Sequence, residues 1–212
     1  MNGKYLNPAF ENSLLSEGKF DYIVGIDEVG RGSWAGPVGV GAYIYSKNSS
    51  SYSGVNDSKL LTSIQKDKLY KYLSKDNYLV KFGEVSEIDN FGIGKTITRI
   101  ILDLVNEIKA KNPRTFFLID GQFAMDFGEN TKKVIKGDSQ FYCIAAASIV
   151  AKVESDRFMK SIDSKYPNYH FITNVGYPSK KHREALNIYG PSEIHRVSYK
   201  PIKILIEGFT TD

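Results

Sequence analysis

Apolar positions along this chain fall into short unbroken runs and, between them, into helical spacings. Tyr22, Ile23, Val24 and Ile26 form a run of the length and β-branched content of a buried strand. Val38 to Tyr45 returns as its hairpin partner, and Tyr78 to Val85 alternates as a third strand. Thr115 to Ile119 is a short, fully apolar strand, and Lys132 to Lys136 predicts one more. Ile93, Ile97, Ile100, Ile101, Leu104, Val105 and Ile108 recur at the spacing of an amphipathic helix of about four turns, which Asn112-Pro113 stops. A second helix is predicted through Leu73, with Thr62 or Ser63 as N-cap. A third runs from Ser139 to about Met159, and its Ala145-Ala146-Ala147-Ser148 and Ala151 let a neighbouring backbone come close. Beyond Tyr166-Pro167 the chain reads as loop-rich, with a basic helix from Ser179 to Tyr189. The expected fold class is α/β: a mixed sheet led by an antiparallel hairpin, helices on its faces, and a mainly helical C-terminal part.

The 212 residues are 42% hydrophobic and 25% charged, an ordinary globular balance. They suit an N-terminal arm over 1–20 and one domain over 21–212, whose helical part covers about 160–212. The first residues do not combine basic and apolar stretches, so no signal peptide is expected. The longest apolar run, Phe141 to Ala151, is too short to span a bilayer. The single cysteine, Cys143, lies in that run as a small core residue and suits a reducing cytoplasm. Net charge is +4 and unevenly placed: residues 131–212 carry 13 Lys and Arg against 8 Asp and Glu. A basic C-terminal third can grip phosphate, although a solvated basic surface has the same composition.

The chemistry gathers where the strands end. The first run closes on Asp27 and Glu28, followed by a turn holding Gly30, Arg31, Gly32 and Gly36. Carboxylate oxygens are the ligands that Mg²⁺ and Mn²⁺ prefer. Glycine backbone and an arginine suit a sugar-phosphate. Adjacent strand residues face opposite ways, so the strand is expected to end near Asp27, or one acid of the pair to act through its backbone carbonyl. Asp120 ends the Thr115 strand in the same manner, and Asp138 follows the Lys132 strand. On residue type alone each acid has a second reading: solvation of a strand end, the start of a turn, or, for Asp138, an N-cap. Lys59 reads equally as a phosphate contact or a loop lysine, and Tyr177 as a stacking platform or a packed turn residue. His182 has no partner at a metal-ligand spacing, and Asp156 reads as a surface or structural residue.

GIDEVGRGSWAGPV, Gly25 to Val38, resembles the signature of ribonuclease HII, the type 2 ribonuclease H. Further blocks of that family recur in order: NDSK (Asn56–Lys59), LIDG (Leu118–Gly121), KGD (Lys136–Asp138), AAASIVAKV (Ala145–Val153), GYPSKKH (Gly176–His182) and GPSEIHRVSYKP (Gly190–Pro201). The match covers about residues 20–202, and an ordered set is far more specific than any one block. The resemblance implies a ribonuclease H-like sheet in which Asp27, Glu28, Asp120 and Asp138 are catalytic and bind two Mn²⁺ or Mg²⁺ ions. It implies cleavage of RNA in RNA–DNA hybrids, and 5′ of single ribonucleotides in duplex DNA, leaving 3′-hydroxyl and 5′-phosphate ends. Gly30, Arg31, Gly32 and Tyr177 would sense the 2′-hydroxyl, while Lys59 and Arg196 would lie on the nucleic-acid side. Leu60 stands where the family usually has a second lysine, which removes one contact. The sister family, ribonuclease HIII, carries Gly-Thr-Gly in the turn and a longer N-terminal extension, so Arg31 and the short N-terminus favour ribonuclease HII. A non-catalytic nucleic-acid-binding module is the reading from another class, and the four intact acids argue against it. A monomer is expected. Residues 208–212 show no clear clamp-binding motif, which leaves a sliding-clamp partner open.

Overall fold

The computed structural model describes residues 5–209; the first four residues of the expected arm and the last three of the tail lie outside the described residues. A five-stranded mixed sheet has the order β3-β2-β1-β4-β5, with β1 Tyr22–Val29, β2 Val38–Ser46, β3 Asn77–Gly83, β4 Thr115–Asp120 and β5 Thr131–Val134. β1 runs parallel to β4 with Ile26 opposite Ile119, and β4 runs parallel to β5 with Asp120 opposite Val134. The helices are α1 Ala9–Ser16, α2 Ser63–Leu73, α3 Val85–Phe91, α4 Ile93–Lys111, α5 Tyr142–Ser161, α6 Phe171–Asn174, α7 Lys180–Tyr189 and α8 Lys200–Phe209. No described helix is long and apolar enough to cross a membrane.

Local chemistry explains most boundaries, including those the pattern misjudged. Thr62 caps α2 in a full capping box with Gln65, as its spacing predicts. The strand expected to reach Val85 stops at Gly83, because Glu84 opens α3 through a reciprocal box with Glu87. β5 ends at Val134 rather than Lys136, since Lys136 takes a left-handed conformation with φ 55°. The helix expected from Ser139 begins at Tyr142, after a 3₁₀ turn over Gly137–Ser139. Beyond Tyr166 the chain is less loop-rich than its composition suggests, for α6, α7 and α8 occupy much of it.

The chain divides into two compact units. The first holds the segments up to Val29, Val40–Lys81 and Thr98–Val153. Its core packs Ile23 and Leu118 of the sheet and Leu73 of α2 with Cys143, Ile144, Ala147 and Val150 of α5. Each large aliphatic side chain so buried contributes about 1.5–3 kcal/mol. The helix approaches so closely that a Cβ at Gly25 would lie 2.1 Å from the Cys143 carbonyl carbon, and one at Gly41 2.8 Å from the Ala147 oxygen. Only glycine admits that spacing. α1 adds the buried carboxylate of Glu11, whose Oε1 accepts the Cys143 N–H at 2.9 Å. It thereby satisfies a donor in the first turn of α5, where the helix leaves N–H groups unpaired and favours negative charge.

The second unit holds Gly30–Gly39, Phe82–Ile97 and the chain from Glu154 on. Its core contains Ala35, Met159, Tyr169, Phe171, Leu186 and Ile202. Backbone bonds stitch the glycine-rich segment into it. Trp34 and Ala35 N–H both donate to the Gly176 oxygen, at 2.8 and 3.3 Å, and Gly36 N–H donates to Ile194 O at 2.8 Å. Ala35 also forms an antiparallel bridge with His195.

Candidate metal centre

Parallel pairing of β1 with β4 sets Asp27 and Asp120 side by side, because the register ends with Ile26 opposite Ile119. C-terminal strand ends are where open α/β sheets gather ligands. β5 then leads through left-handed Lys136 into the 3₁₀ turn that carries Asp138. Two hydrogen bonds hold this segment at the end of β4: Gly137 N–H of the turn donates to the Asp120 carboxylate Oδ1 at 2.9 Å, and Gly121 N–H donates to Val134 O at the end of β5 at 2.7 Å. Asp27, Asp120 and Asp138 each offer an oxygen within 4.8 Å of the others. Asp27 and Asp138 are only 6% and 3% exposed.

Such crowding is costly without a cation. Burial pushes the Asp27 carboxyl well above the ordinary carboxylate range, and the charges of Asp120, Glu28 and Asp138 push it further. A hydrogen bond from Ser148 opposes the shift. Burial also raises Asp120, against the Gly137 N–H bond and with Asp138 adding to the rise. Lys59 supplies one nearby positive charge: its ammonium lies 3.1 Å from Asp138 Oδ2 and 3.9 Å from Asp57. Three hard oxygen donors at this spacing, two of them buried, fit a divalent cation of the Mg²⁺ or Mn²⁺ type.

Glu28 behaves differently from the other acids. β1 does not end at Asp27 but continues to Val29, so strand alternation turns the Glu28 side chain away from the direction of Asp27. The Glu28 N–H donates to Asp27 Oδ1 at 2.8 Å and helps fix that carboxylate. Among the described residues, the clustered carboxylates are those of Asp27, Asp120 and Asp138.

Ser148 was visible in the chain only as a small residue on α5. Its hydroxyl meets that of Ser58 at 2.7 Å in the interior and also bonds Asp27, so the pair orients the Asp27 carboxylate from behind. The usable signal was a polar residue inside an otherwise apolar run, since a buried hydroxyl requires a partner. Leu60 is exposed and leaves Lys59 as the lysine of its block.

The residues expected to sense sugar lie in the second unit. Gly30 has φ +81°, and Arg31 and Gly32 are exposed. A Cβ on Gly32 would meet Tyr177 Cε1 at 4.0 Å, so the half-buried Tyr177 ring lies beside the Gly32 backbone.

Arg196 requires a correction. Expected on the nucleic-acid side, it is fully buried. Its Nε donates to Gly36 O at 2.9 Å, Nη1 to Gly30 O at 2.7 Å, and Nη2 to Pro37 O at 2.9 Å. Nη1 also reaches Tyr199 Oη at 2.9 Å, and that hydroxyl donates to Arg31 O at 2.6 Å. The guanidinium therefore ties down the carbonyls of the glycine-rich turn, a task that its planar fork of donors suits. A positive charge in a basic block looks the same in sequence whichever way it points.

Comparison with known proteins agrees with this arrangement. A family model described as Ribonuclease HII matches residues 24–202. The chain is 39% identical over 191 residues to a ribonuclease HII of Caldicellulosiruptor bescii, covering 89% of this chain and 91% of that protein. It is 37% identical to one of Listeria monocytogenes, covering 92% and 73%. Among solved structures, the ribonuclease H2 of Pyrococcus horikoshii superposes with TM-score 0.73 at 26% identity, over 90% of this chain and all of that one. Bst-RNase HIII in complex with Mn²⁺ shares the fold, with TM-score 0.68 at 17% identity over 92% and 72%.

Proposed function

Because this chain belongs to the ribonuclease HII family, whose activity is cleavage of RNA in RNA–DNA hybrids and excision of ribonucleotides, we propose that its three clustered aspartates are the ion ligands of that reaction. The observation that carries the reading is three carboxylates, two of them buried, within 4.8 Å at the ends of β1 and β4 and in the turn after β5. Two Mn²⁺ or Mg²⁺ ions, when bound, activate a water and stabilise the leaving oxyanion. Asp27, Asp120 and Asp138 hold them through side-chain oxygens, and Glu28 contributes through its backbone carbonyl or its carboxylate. Ser148 keeps Asp27 aimed. Lys59, whose ammonium lies 3.1 Å from Asp138 Oδ2, offsets the charge of that carboxylate and would be the cation nearest a substrate phosphate at the site.

Hydrolysis adds water across the phosphodiester 5′ of the ribonucleotide. The P–O3′ bond breaks, the upstream strand keeps a 3′-hydroxyl, and the ribonucleotide keeps a 5′-phosphate. Gly30, Arg31, Gly32 and Tyr177 read the ribose, with the glycine backbone near the 2′-hydroxyl and the Tyr177 ring as a stacking surface. Arg196 supports that turn from within. A monomer in the cytoplasm is the state we propose, one chain being enough to carry the site and the single cysteine suiting a reducing compartment. The relative solved as a PCNA complex motivates a pull-down with a clamp but assigns none here.

The test is nicking of a duplex carrying one embedded ribonucleotide, beside a continuous hybrid, with Mg²⁺ or Mn²⁺. Asp120→Asn should abolish cleavage of both while the metal-free fold persists. Normal turnover of that variant at saturating metal would remove Asp120 from the ligand set.

A further inference from the structure

The second unit contains two buried histidines that the chemistry so far leaves unused. His182 Nε2 and His195 Nε2 lie 3.0 Å apart. At one end of the pair, His182 Nδ1 lies 2.9 Å from the Tyr177 carbonyl. At the other, His195 Nδ1 lies 3.0 Å from both the backbone nitrogen and the hydroxyl of Ser192. His182 has no partner at a metal-ligand spacing in the sequence, and the structure supplies a partner of another kind.

One assignment of protons satisfies these contacts. A carbonyl can only accept, so His182 Nδ1 carries a hydrogen and donates it to Tyr177 O. The Ser192 N–H can only donate, so His195 Nδ1 is bare and accepts it. Two neutral rings then leave a single hydrogen between the Nε2 atoms, on His195, donated to bare His182 Nε2. The result is a directed chain: Ser192 N–H to His195, His195 to His182, His182 to the Tyr177 carbonyl. An added proton fits poorly. On His182 Nε2 it would face another N–H, and on His195 Nδ1 it would displace the Ser192 N–H bond and leave the Ser192 hydroxyl and carbonyl oxygens, at 3.0 and 3.3 Å, as its acceptors.

We propose that His195 and His182 are positioning residues for Tyr177, a relay of fixed tautomers that sets the angle at which its ring meets the substrate ribose. The inference rests on the proposed role of Tyr177 as the ribose-facing aromatic. His195 is suited to the task because its backbone pairs with Ala35 in the glycine-rich segment while its ring leads to Tyr177. The same residue therefore references both halves of the ribose reader. Burial holds both imidazoles neutral, with His195 held down to about 4 and His182 also lowered. The groups facing the pair are the Tyr169 and Phe171 rings and Ser192, with His170 as the one further titratable group acting on His182.

The experiment compares His182→Phe, which keeps a ring but removes both nitrogens, with His182→Asn, whose amide can still donate near the Nδ1 position. Both are assayed with Tyr177→Ala and the double variants, on single-ribonucleotide and continuous-hybrid substrates, below the onset of unfolding. His182→Phe should lose about tenfold or more on the single ribonucleotide and clearly less on the hybrid. His182→Asn should recover part of the loss, and His182→Phe should add nothing once Tyr177 is alanine. Equal losses on both substrates, or full additivity with Tyr177→Ala, would overturn the relay. A selective defect in Tyr177→Ala with none in His182→Phe would overturn the relay alone. No selective defect in Tyr177→Ala would overturn the reading beneath it as well. Nitrogen NMR of the unaltered protein needs no variant to fold: Nδ1–H on His182, Nε2–H on His195 and no titration near pH 6.5 are expected, and opposite tautomers would refute the chain of bonds.

Discussion

Replacing Arg196 tests most directly whether a buried cation builds the ribose-facing turn or binds nucleic acid. Arg196→Ala strips the carbonyls of Gly30, Gly36 and Pro37 of their donors and removes the cation lying 5.3 Å from the Tyr199 ring centroid. A hydrogen bond from a charged group contributes about 1.5–3 kcal/mol, but water entering the vacated space recovers part of the sum. Each buried carbonyl left without the guanidinium donor costs about 1–3 kcal/mol, so a total loss of about 3–5 kcal/mol is expected here. For a chain of this length each kcal/mol moves Tm by about 2–4 °C, so a fall of about 6–20 °C should appear in a thermal melt. Arg196→Lys should fall nearly as far, because one ammonium cannot serve three diverging carbonyls. The salt dependence of hybrid binding provides the contrast. If Arg196 touches no phosphate, the slope of log Kd against log salt stays unchanged in the folded variant. A slope lower by about 1, together with an unchanged Tm, would refute the structural role.

Asp27→Asn should raise the metal-free Tm by relieving repulsion among Asp27, Asp120 and Asp138, lose the stabilisation that Mn²⁺ gives the parent, and cut activity to about 1% or less. A metal-free Tm at or below the parent's would mean that the crowding is not strained. Glu11→Ala should cost about 1–3 kcal/mol in a denaturant melt by orphaning the Cys143 N–H, and Glu11→Gln should cost less because its amide oxygen still accepts. The buried histidines predict an acid limb in stability. Both have folded pKa values below the free-imidazole value of 6.5, so below that pH the unfolded chain binds more protons than the folded one. The stability these two histidines contribute should therefore decline from about pH 6.5 to about 4, while the raised carboxyls of Asp27 and Asp120 act in the opposite sense, and His182→Phe should flatten the histidine part of the profile relative to the parent. An unchanged pH profile in that variant would contradict the assignment.

What the chain disclosed in advance was whatever depends on local pattern. Apolar runs placed β1, β2 and β4, and Asn112-Pro113 stopped α4 close to its observed end at Lys111. On residue type alone Asp27 and Asp120 read equally as solvated strand ends, and the resemblance to ribonuclease HII is what marks them; their clustering with Asp138 depends on strand pairing that no local pattern carries. Three things were hidden, each for a different reason. Glu84 is not among the residue types that commonly cap a helix, although its N–H is held by the Glu87 carboxylate at 3.0 Å, so the strand pattern runs on to Val85. Arg196 has the same composition signal on the surface as in the interior, and only burial separates a phosphate ligand from a scaffold. His182 was judged against metal-ligand spacings in sequence, while its partner His195 is brought to it by the turn around Ser192.

The contact at Gly25 has a consequence for anyone reading this protein by mutation. A single methyl there would meet the Cys143 carbonyl, which has no rotamer to change, so the start of α5 would have to shift as a body. The turn bearing Asp138 is joined to that start through the Phe141 N–H bond to Gly137 O. A Gly25→Ala allele would thus misplace an ion ligand without touching one, and a genetic screen scoring lost nuclease activity would recover Gly25 beside Asp27 and Asp120. Sorting such alleles by metal affinity rather than by activity would show which ones lack a ligand and which have only moved it.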